Sequence, residues 1–268
     1  MKALYFEYDG ISLRDMGYVI CTFGGKGLET VSNGSKISFN TTPVLNGSLH
    51  VLTNANYEEC LETTFCICTD ACATDTKDIQ PISLNEQSKL MRWLNRKTFC
   101  KFKLEQDGYE DIYFEGSFNV DKYEIDGVVY GLELTLTTNR PFALYEPRTY
   151  EFSVTEDNLT YTIEDISDEI GFIYADVEVT CKADGKLLIE NSVEPNRRIS
   201  IDNCVTDEVI VFKNPVITTT VSTHKLQNDF NFNFIRIANE FNNVTNTLTF
   251  SIPCEVKLTY IPIKKVGV

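Results

Sequence analysis

Several absences narrow the reading of this chain before any motif is considered. It contains no apolar run near the roughly 20 residues that a membrane-crossing helix requires; VVYGLEL, Val128–Leu134, is typical of its longest. Its opening, MKALYFEYDG, has no apolar core ahead of a small-residue cleavage site, so it does not read as a signal peptide. Both observations predict a chain that folds in a cytosol, where thiols stay reduced. Basic charge is scarce: the net charge is −15, with 13 basic against 21 acidic residues through Glu146 and 11 against 18 beyond it. An acidic balance in both halves argues against specific nucleic-acid binding and against an anionic membrane surface. Internal repeats, low-complexity tracts and heptads are also missing.

What is present is ordinary globular composition, 43% hydrophobic and 24% charged over 268 residues, enough for two domains with separate cores. Alternating patterns dominate. The segment Asp111–Thr138 carries two alternating runs around Asp126-Gly127, the strongest short-range signal for a hairpin, with arms of about a dozen residues. Further strands are expected at Ala3–Tyr8, Tyr18–Phe23, Lys36–Thr41, Leu61–Cys68 and Phe99–Leu104. A single helix is expected from about Leu84 to about Arg96. Ser83 and Glu86 form a capping-box pattern ahead of it, and Leu90 and Leu94 follow at helical spacing beside Met91 and Trp93. In TTNRPFALYEPRTYEF the alternation breaks and two prolines intervene, which places a domain boundary between Asn139 and Pro147. Beyond it about ten short strands separated by turn residues predict a β-sandwich, among them Arg197–Asp202, Asn231–Ile237 and Glu255–Pro262.

Residues with chemistry to offer do not assemble into a catalytic set. His50 and His224 both lie in loop-like contexts and read as solvated, since histidine catalysis needs an oriented partner. Asp165, Asp168 and Glu169 read as a solvated charge run. TFGGKGLET, Thr22–Thr30, departs from a phosphate-binding loop: its lysine sits between glycines and no Ser or Thr follows it. No enzyme activity and no cofactor are therefore expected, and the five N-x-S/T sequons are chance matches without a secretory route.

Cysteine is the exception in number, at nine. FCICTDAC places Cys66, Cys68 and Cys72 within seven residues, with Cys60 before them and Cys100 after. Metal binding, a disulfide and plain reduced thiols all remain as readings. No second C-x₂-C pair and no nearby histidine completes a zinc set, and cysteine packs well as a small hydrophobe. The assignment is reduced thiols and no metal, with Cys66 and Cys68 on the strand face opposite Phe65 and Ile67.

Lys89, Arg92, Arg96, Lys97, Lys101 and Lys103 form a basic stretch without an acid from Gln87 to Leu104. It reads as a solvated face with favourable helix-end charges, or as a surface that docks on an acidic neighbour, for which a second copy of this chain qualifies.

The order of these elements resembles the distal tail (Dit) family of long-tailed bacteriophages. The residues that carry the likeness are FEYDGISLRDMGYVI, the helix with WLNRK at Trp93–Lys97, the following FCKFKL and hairpin, and the exit TTNRPFALY. In the second half they are GKLLIENS, RRISIDNC, DEVIVFKNP, FNFNFIRIANEFNNVTNTLTFS and the ending SIPCEVKLTYIPIKKVG. The chain departs from the family where GGKGLE stands in place of a glycine-arginine-aspartate-glycine type loop. The resemblance implies a mainly β fold. Its N-terminal domain, residues 1–142, would be a β-sandwich or split-barrel-like, ring-forming unit with one helix and a long hairpin. A galectin-like β-sandwich, residues 143–268, would follow. It implies a homohexameric ring at the virion tail tip, assembled in the bacterial host cytoplasm. Its partners would be the tail tube protein, a tail-associated hub or lysin protein, and receptor-binding or other adsorption proteins. Ring contacts are expected from Arg92, Trp93, Arg96, Lys97, Lys101 and Lys103 and from Tyr123, Ile125, Val128 and Tyr130 of the hairpin, with Arg140, Pro141 and Phe142 at the interdomain junction. The alternative is a carbohydrate-binding module in the C-terminal sandwich, although the only tryptophan, Trp93, lies in the other domain.

Overall fold

A computed structural model describes residues 3–23, 36–71, 78–156 and 159–266. The chain divides into two compact units, one running to Leu144 and the other spanning Tyr145–Lys264.

The first unit contains β1 (Phe6–Tyr8), β2 (Ile11–Ser12), β3 (Tyr18–Cys21), β4 (Ile37–Val44), β5 (Leu49–Tyr57), β6 (Glu62–Thr69), α1 (Leu84–Leu94), β7 (Cys100–Leu104), β8 (Ile112–Ile125) and β9 (Val128–Thr138). An antiparallel sheet runs in the order β2-β1-β7-β8-β9-β6-β3. The β8–β9 hairpin sits at its centre and not at its margin. Asp126 and Gly127 both have positive φ, 52° and 77°, the backbone that a two-residue primed turn demands. The helix forms for the reason the sequence gives. Ser83 Oγ accepts from the Glu86 backbone N–H, and the Ser83 N–H donates to Glu86 Oε2 at 2.8 Å. It ends at Leu94, two residues before the expected Arg96.

Alternation directs Phe65 and Ile67, Leu132, Leu134 and Leu136, and Phe102 and Leu104 inward, where they are buried. Phe6, Phe65, Trp93, Phe102 and Phe118 form an aromatic core, with Phe6 stacked on Trp93 at 5.9 Å and Phe102 edge-on to Phe118 at 5.7 Å. Full burial of one such side chain contributes about 1.5–3 kcal/mol. Trp93 also satisfies its one polar atom, Nε1 donating to the Tyr8 carbonyl at 3.0 Å.

The second unit is a two-sheet sandwich. After β10 (Ala143–Tyr145), which pairs with β8 of the first sheet, its strands are β11 (Arg148–Val154), β12 (Thr160–Glu164), β13 (Gly171–Tyr174), β14 (Asp176–Cys181), β15 (Gly185–Asn191), β16 (Ile199–Cys204), β17 (Val209–Lys213), β18 (Val216–Thr219), β19 (Arg236–Asn239), β20 (Thr245–Phe250), β21 (Cys254–Tyr260) and β22 (Ile263–Lys264). One sheet has the order β11-β21-β14-β17-β18, and the other β12-β20-β15-β16. In β14 and β21, Val177, Val179, Val256 and Leu258 point into the core while Glu178, Glu255 and Lys257 face out, the period-2 pattern of a half-buried strand. The expected strand Asn231–Ile237 is not one strand. A short helical turn, α2 (Leu226–Asp229), precedes it, and β19 begins only at Arg236 and pairs with β13.

Candidate functional site

The surface that stands out in the first unit is the β4–β5 ribbon, of which the sequence reading anticipated only one strand. It pairs from Ile37 opposite Tyr57 to Val44 opposite Leu49, with a bulge between Asn40 and Thr41. Leu45, Asn46 and Gly47, all with positive φ, close its end. Among the described residues neither strand pairs with any other strand. It nevertheless carries large apolar side chains into solvent: Phe39 is 65% exposed and Leu45 73%, and Ile37, Leu49, Val51 and Leu52 are exposed as well. A lone two-stranded ribbon is marginal in water, and free edges with exposed apolar groups mark a surface that pairs or docks.

The residues expected at contacts divide into three places. Arg92, Arg96 and Lys97 are exposed around the end of α1, where the Arg96 guanidinium donates to the Trp93 carbonyl at 2.9 Å and pairs with Asp9 at 3.4 Å. Lys101 and Lys103 are half-buried on β7, with the Lys101 ammonium 4.4 Å from the centre of the Tyr113 ring. Trp93 does not belong with them. It is 5% exposed, held in the aromatic core, and therefore gives nothing to a partner.

Near the hairpin turn Ile125 and Val128 are exposed, while Tyr123 and Tyr130 are half-buried. Tyr123 stacks on Phe23 at 4.8 Å and donates to Glu133 at 3.2 Å. These two groups are not brought together. The end of α1 is tied to β8 at Phe118 through Asn95, whereas its start is tied at Val129 through the Ile82 N–H. Val129 lies opposite Glu124, so about 20 Å of strand separates the two anchor points. Arg140 pairs with Glu115 at 3.5 Å, and half-buried Phe142 packs edge-on against Tyr57 at 6.1 Å, at the root of the ribbon; Pro141 between them is half-buried.

Of the cysteines, Cys66 and Cys68 do share the face opposite Phe65 and Ile67, and Cys21 on β3 joins them, directly across from Cys66. No group of three or more His, Cys, Asp or Glu among the described residues has metal-binding geometry. Cys72 and GGKGLE lie outside the described residues.

Three assignments are corrected. His224 is not solvated: its side chain is 3% exposed, and its Nδ1 lies 2.6 Å from Glu208 Oε1, with Asp229 3.6 Å from Nε2. Glu208 itself is buried and accepts hydrogen bonds from Thr219 and from the Val205 N–H. Burial opposes the charged imidazole, but the Glu208 hydrogen bond and charge outweigh it and raise the His224 pKa. Its sequence neighbours VSTHKLQND gave no sign of Glu208, which reaches it from the start of another strand. Asp165 is likewise buried, accepting from Ser167 and Asn239. His50 is exposed but sits on β5, not in a loop.

Residues 1–140 match a family model described as a phage tail protein N-terminal domain, and residues 142–260 match one described as a phage tail C-terminal domain. The chain belongs to the phage tail protein family. The fold of this tail protein is also similar to the crystal structure of the SPP1 Dit (gp 19.1) protein, described as a paradigm of the hub adsorption apparatus in phages that infect Gram-positive bacteria. The TM-score is 0.63 at 12% identity, covering 97% of this chain and 99% of that one. No curated protein matches the tail protein by sequence. The resemblance drawn from the sequence is thereby borne out to the level of a phage tail protein, and in its mainly β, two-domain fold.

Proposed function

We propose that this phage tail protein is a distal tail protein. Copies of it close into a homohexameric ring at the tail tip and join the tail tube to the adsorption apparatus. It plays a structural role and catalyses no reaction. The single observation behind the ring is the β4–β5 ribbon, which displays Phe39, Leu45 and Leu52 with nothing among the described residues to cover them. A ribbon of this kind finds its burial on a second copy, and a head-to-tail contact repeated by a rotation that closes makes a ring. The exposed Arg92, Arg96 and Lys97, and the hairpin end with Ile125 and Val128, add contacts that set register against acidic neighbours. In this reading the N-terminal unit, residues 1–142, forms the ring, and the C-terminal sandwich, residues 143–268, carries adsorption proteins outward.

Light scattering on the purified chain over a range of concentrations tests the reading. An assembly of about six chains is expected, and a strict monomer at the highest concentration would sink it.

A second reading, sugar binding by the C-terminal sandwich, is favoured by one observation. Phe172, 51% exposed, and Tyr174 form an edge-on pair on β13 at 5.6 Å. The Arg236 guanidinium lies 3.7 Å from the Phe172 ring centre and is held by a bidentate pair with Glu194. An aromatic face beside fixed polar groups suits a sugar ring. A glycan array that stays silent for wild type and for Phe172→Ala alike removes this reading.

A further inference from the structure

Beside the Phe172–Tyr174 pair stands a cation that a neutral sugar would leave unused. Alternation along β13 turns Ile173 toward the core and leaves Phe172 and Tyr174 exposed, with Tyr174 directly opposite Arg236 of β19. Arg236 spends its charge on Glu194: Nε donates to Glu194 Oε2 at 2.9 Å, and Nη2 donates to Oε1. As a unit that pair is neutral. Arg197, three residues past Glu194, is not matched in this way. Among the described residues its half-buried guanidinium makes one hydrogen bond, from Nη1 to the Phe234 carbonyl, and no ion pair. Phe234 stands two residues before Arg236, so both guanidinium groups reach the same end of β19.

We infer that Phe172, Tyr174, Arg236 and Arg197 form a binding site for an acidic saccharide, one that bears a carboxylate or a phosphate, which rests on the sugar-binding reading of this sandwich and narrows it. The sugar ring stacks on the exposed aromatic pair. The fixed Arg236–Glu194 pair offers a donor and an acceptor to its hydroxyls, and Arg197 takes the anionic oxygens.

The charge of the ligand follows from the balance at the site. Two arginines face one carboxylate, in a half of the chain where acids outnumber bases by 18 to 11. A partly buried cation without a counterion costs free energy, and an anion that completes it recovers that cost. Burial and the neighbouring Arg236 charge both lower the Arg197 pKa, against the opposing effects of Glu194 and Tyr174, in keeping with a cation short of a partner. A neutral sugar would satisfy the aromatic pair and leave that cation as it is.

The frame of the site is fixed before any ligand arrives. Asn191 Nδ2 donates to the Arg236 carbonyl at 3.0 Å and to the Asn246 Oδ1 at 2.7 Å. Asn246, fully buried, accepts from the Ala238 N–H and donates to the Ala238 carbonyl, both at 2.8 Å. The Glu194 N–H donates to the Asn191 carbonyl and the Arg197 N–H to the Glu194 carbonyl, each at 2.9 Å. The turn that carries Glu194 and Arg197 is thereby locked onto β19, and a preorganised site loses little conformational entropy on binding.

The test probes the full chain on an array of matched saccharides, each printed in a neutral, a carboxylated and a phosphorylated form. Binding to a charged series about tenfold or more above its neutral counterparts is expected, and the series that responds names the anionic group. Arg197→Gln should bring the charged signal down to the neutral level without moving the neutral signal, and Arg197→Lys should keep part of the preference. Phe172→Ala should lower charged and neutral signals together, which separates a stacked sugar from a bare anion site. Equal binding of charged and neutral forms overturns the inference and leaves the sugar-binding reading standing, whereas an array silent throughout removes both. A charged signal that survives Arg197→Gln or Phe172→Ala overturns it as well. The wild-type comparison decides alone if a variant does not fold, and the outcome is independent of whether the chain forms a ring.

Discussion

His224 and Glu208 share a buried hydrogen bond, and Asp229 faces the other ring nitrogen. The imidazole therefore binds its proton more tightly in the folded domain than in the unfolded chain. The linkage has a definite sign. The stability that this proton supplies is fully present below the unfolded value near pH 6.5, and it is lost as pH rises through the raised folded value. The C-terminal domain should unfold at a lower temperature at pH 8.5 than at pH 6.5, and His224→Asn should flatten that slope. Thermal scans across this range check it; a slope unchanged by the substitution would assign the effect to other groups. Gly131 gives a second test at this scale. A Cβ there would lie 2.4 Å from the Phe23 ring and 2.8 Å from the Ile67 carbonyl oxygen. Gly131→Ala should destabilise the N-terminal unit by about 1–3 kcal/mol in chemical denaturation, since either the ring or the backbone has to move.

Among the elements, the β4–β5 ribbon separates assembly from folding. Phe39 and Leu52 are exposed and do not contribute to the core. Phe39→Asp with Leu52→Asp should shift the unfolding of an isolated chain by no more than about 0.5 kcal/mol per site. The same pair should abolish higher assemblies in light scattering; an assembly of undiminished mass would move the contact elsewhere. The ribbon also shows where sequence reading stops. α1 and the β8–β9 hairpin were legible because their signals are local: a capping box in four residues, and an Asp-Gly turn between alternating runs. β5 was not, because LHVLTNANY alternates without a buried face, so hydrophobic periodicity had nothing to report. The basic stretch was legible as charge, but its Trp93 was placed on the wrong side. The helical spacing that put Leu90 and Leu94 inward also carried Trp93 with them. His224 failed for a different reason: Glu208 lies 16 positions away and approaches through the fold.

At the scale of the whole molecule, a chain of net charge −15 repels its own copies. If apolar burial of the ribbon drives assembly, raising the salt from about 20 to about 300 mM should increase the assembled fraction by screening that repulsion. If pairing of Arg92, Arg96 and Lys97 with acidic neighbours dominated, salt would dissolve the assembly instead. Light scattering in the two buffers therefore chooses between apolar and ionic contacts.

The single tryptophan has a further consequence. Trp93 lies in the N-terminal aromatic core, sealed by Phe6 and hydrogen-bonded to Tyr8, while the C-terminal unit contains no indole at all. Tryptophan emission is thus a native optical label for one half of the molecule. Its red shift times the melting of the N-terminal unit, circular dichroism follows both units together, and the difference between the two curves reads the C-terminal sandwich without any engineered probe.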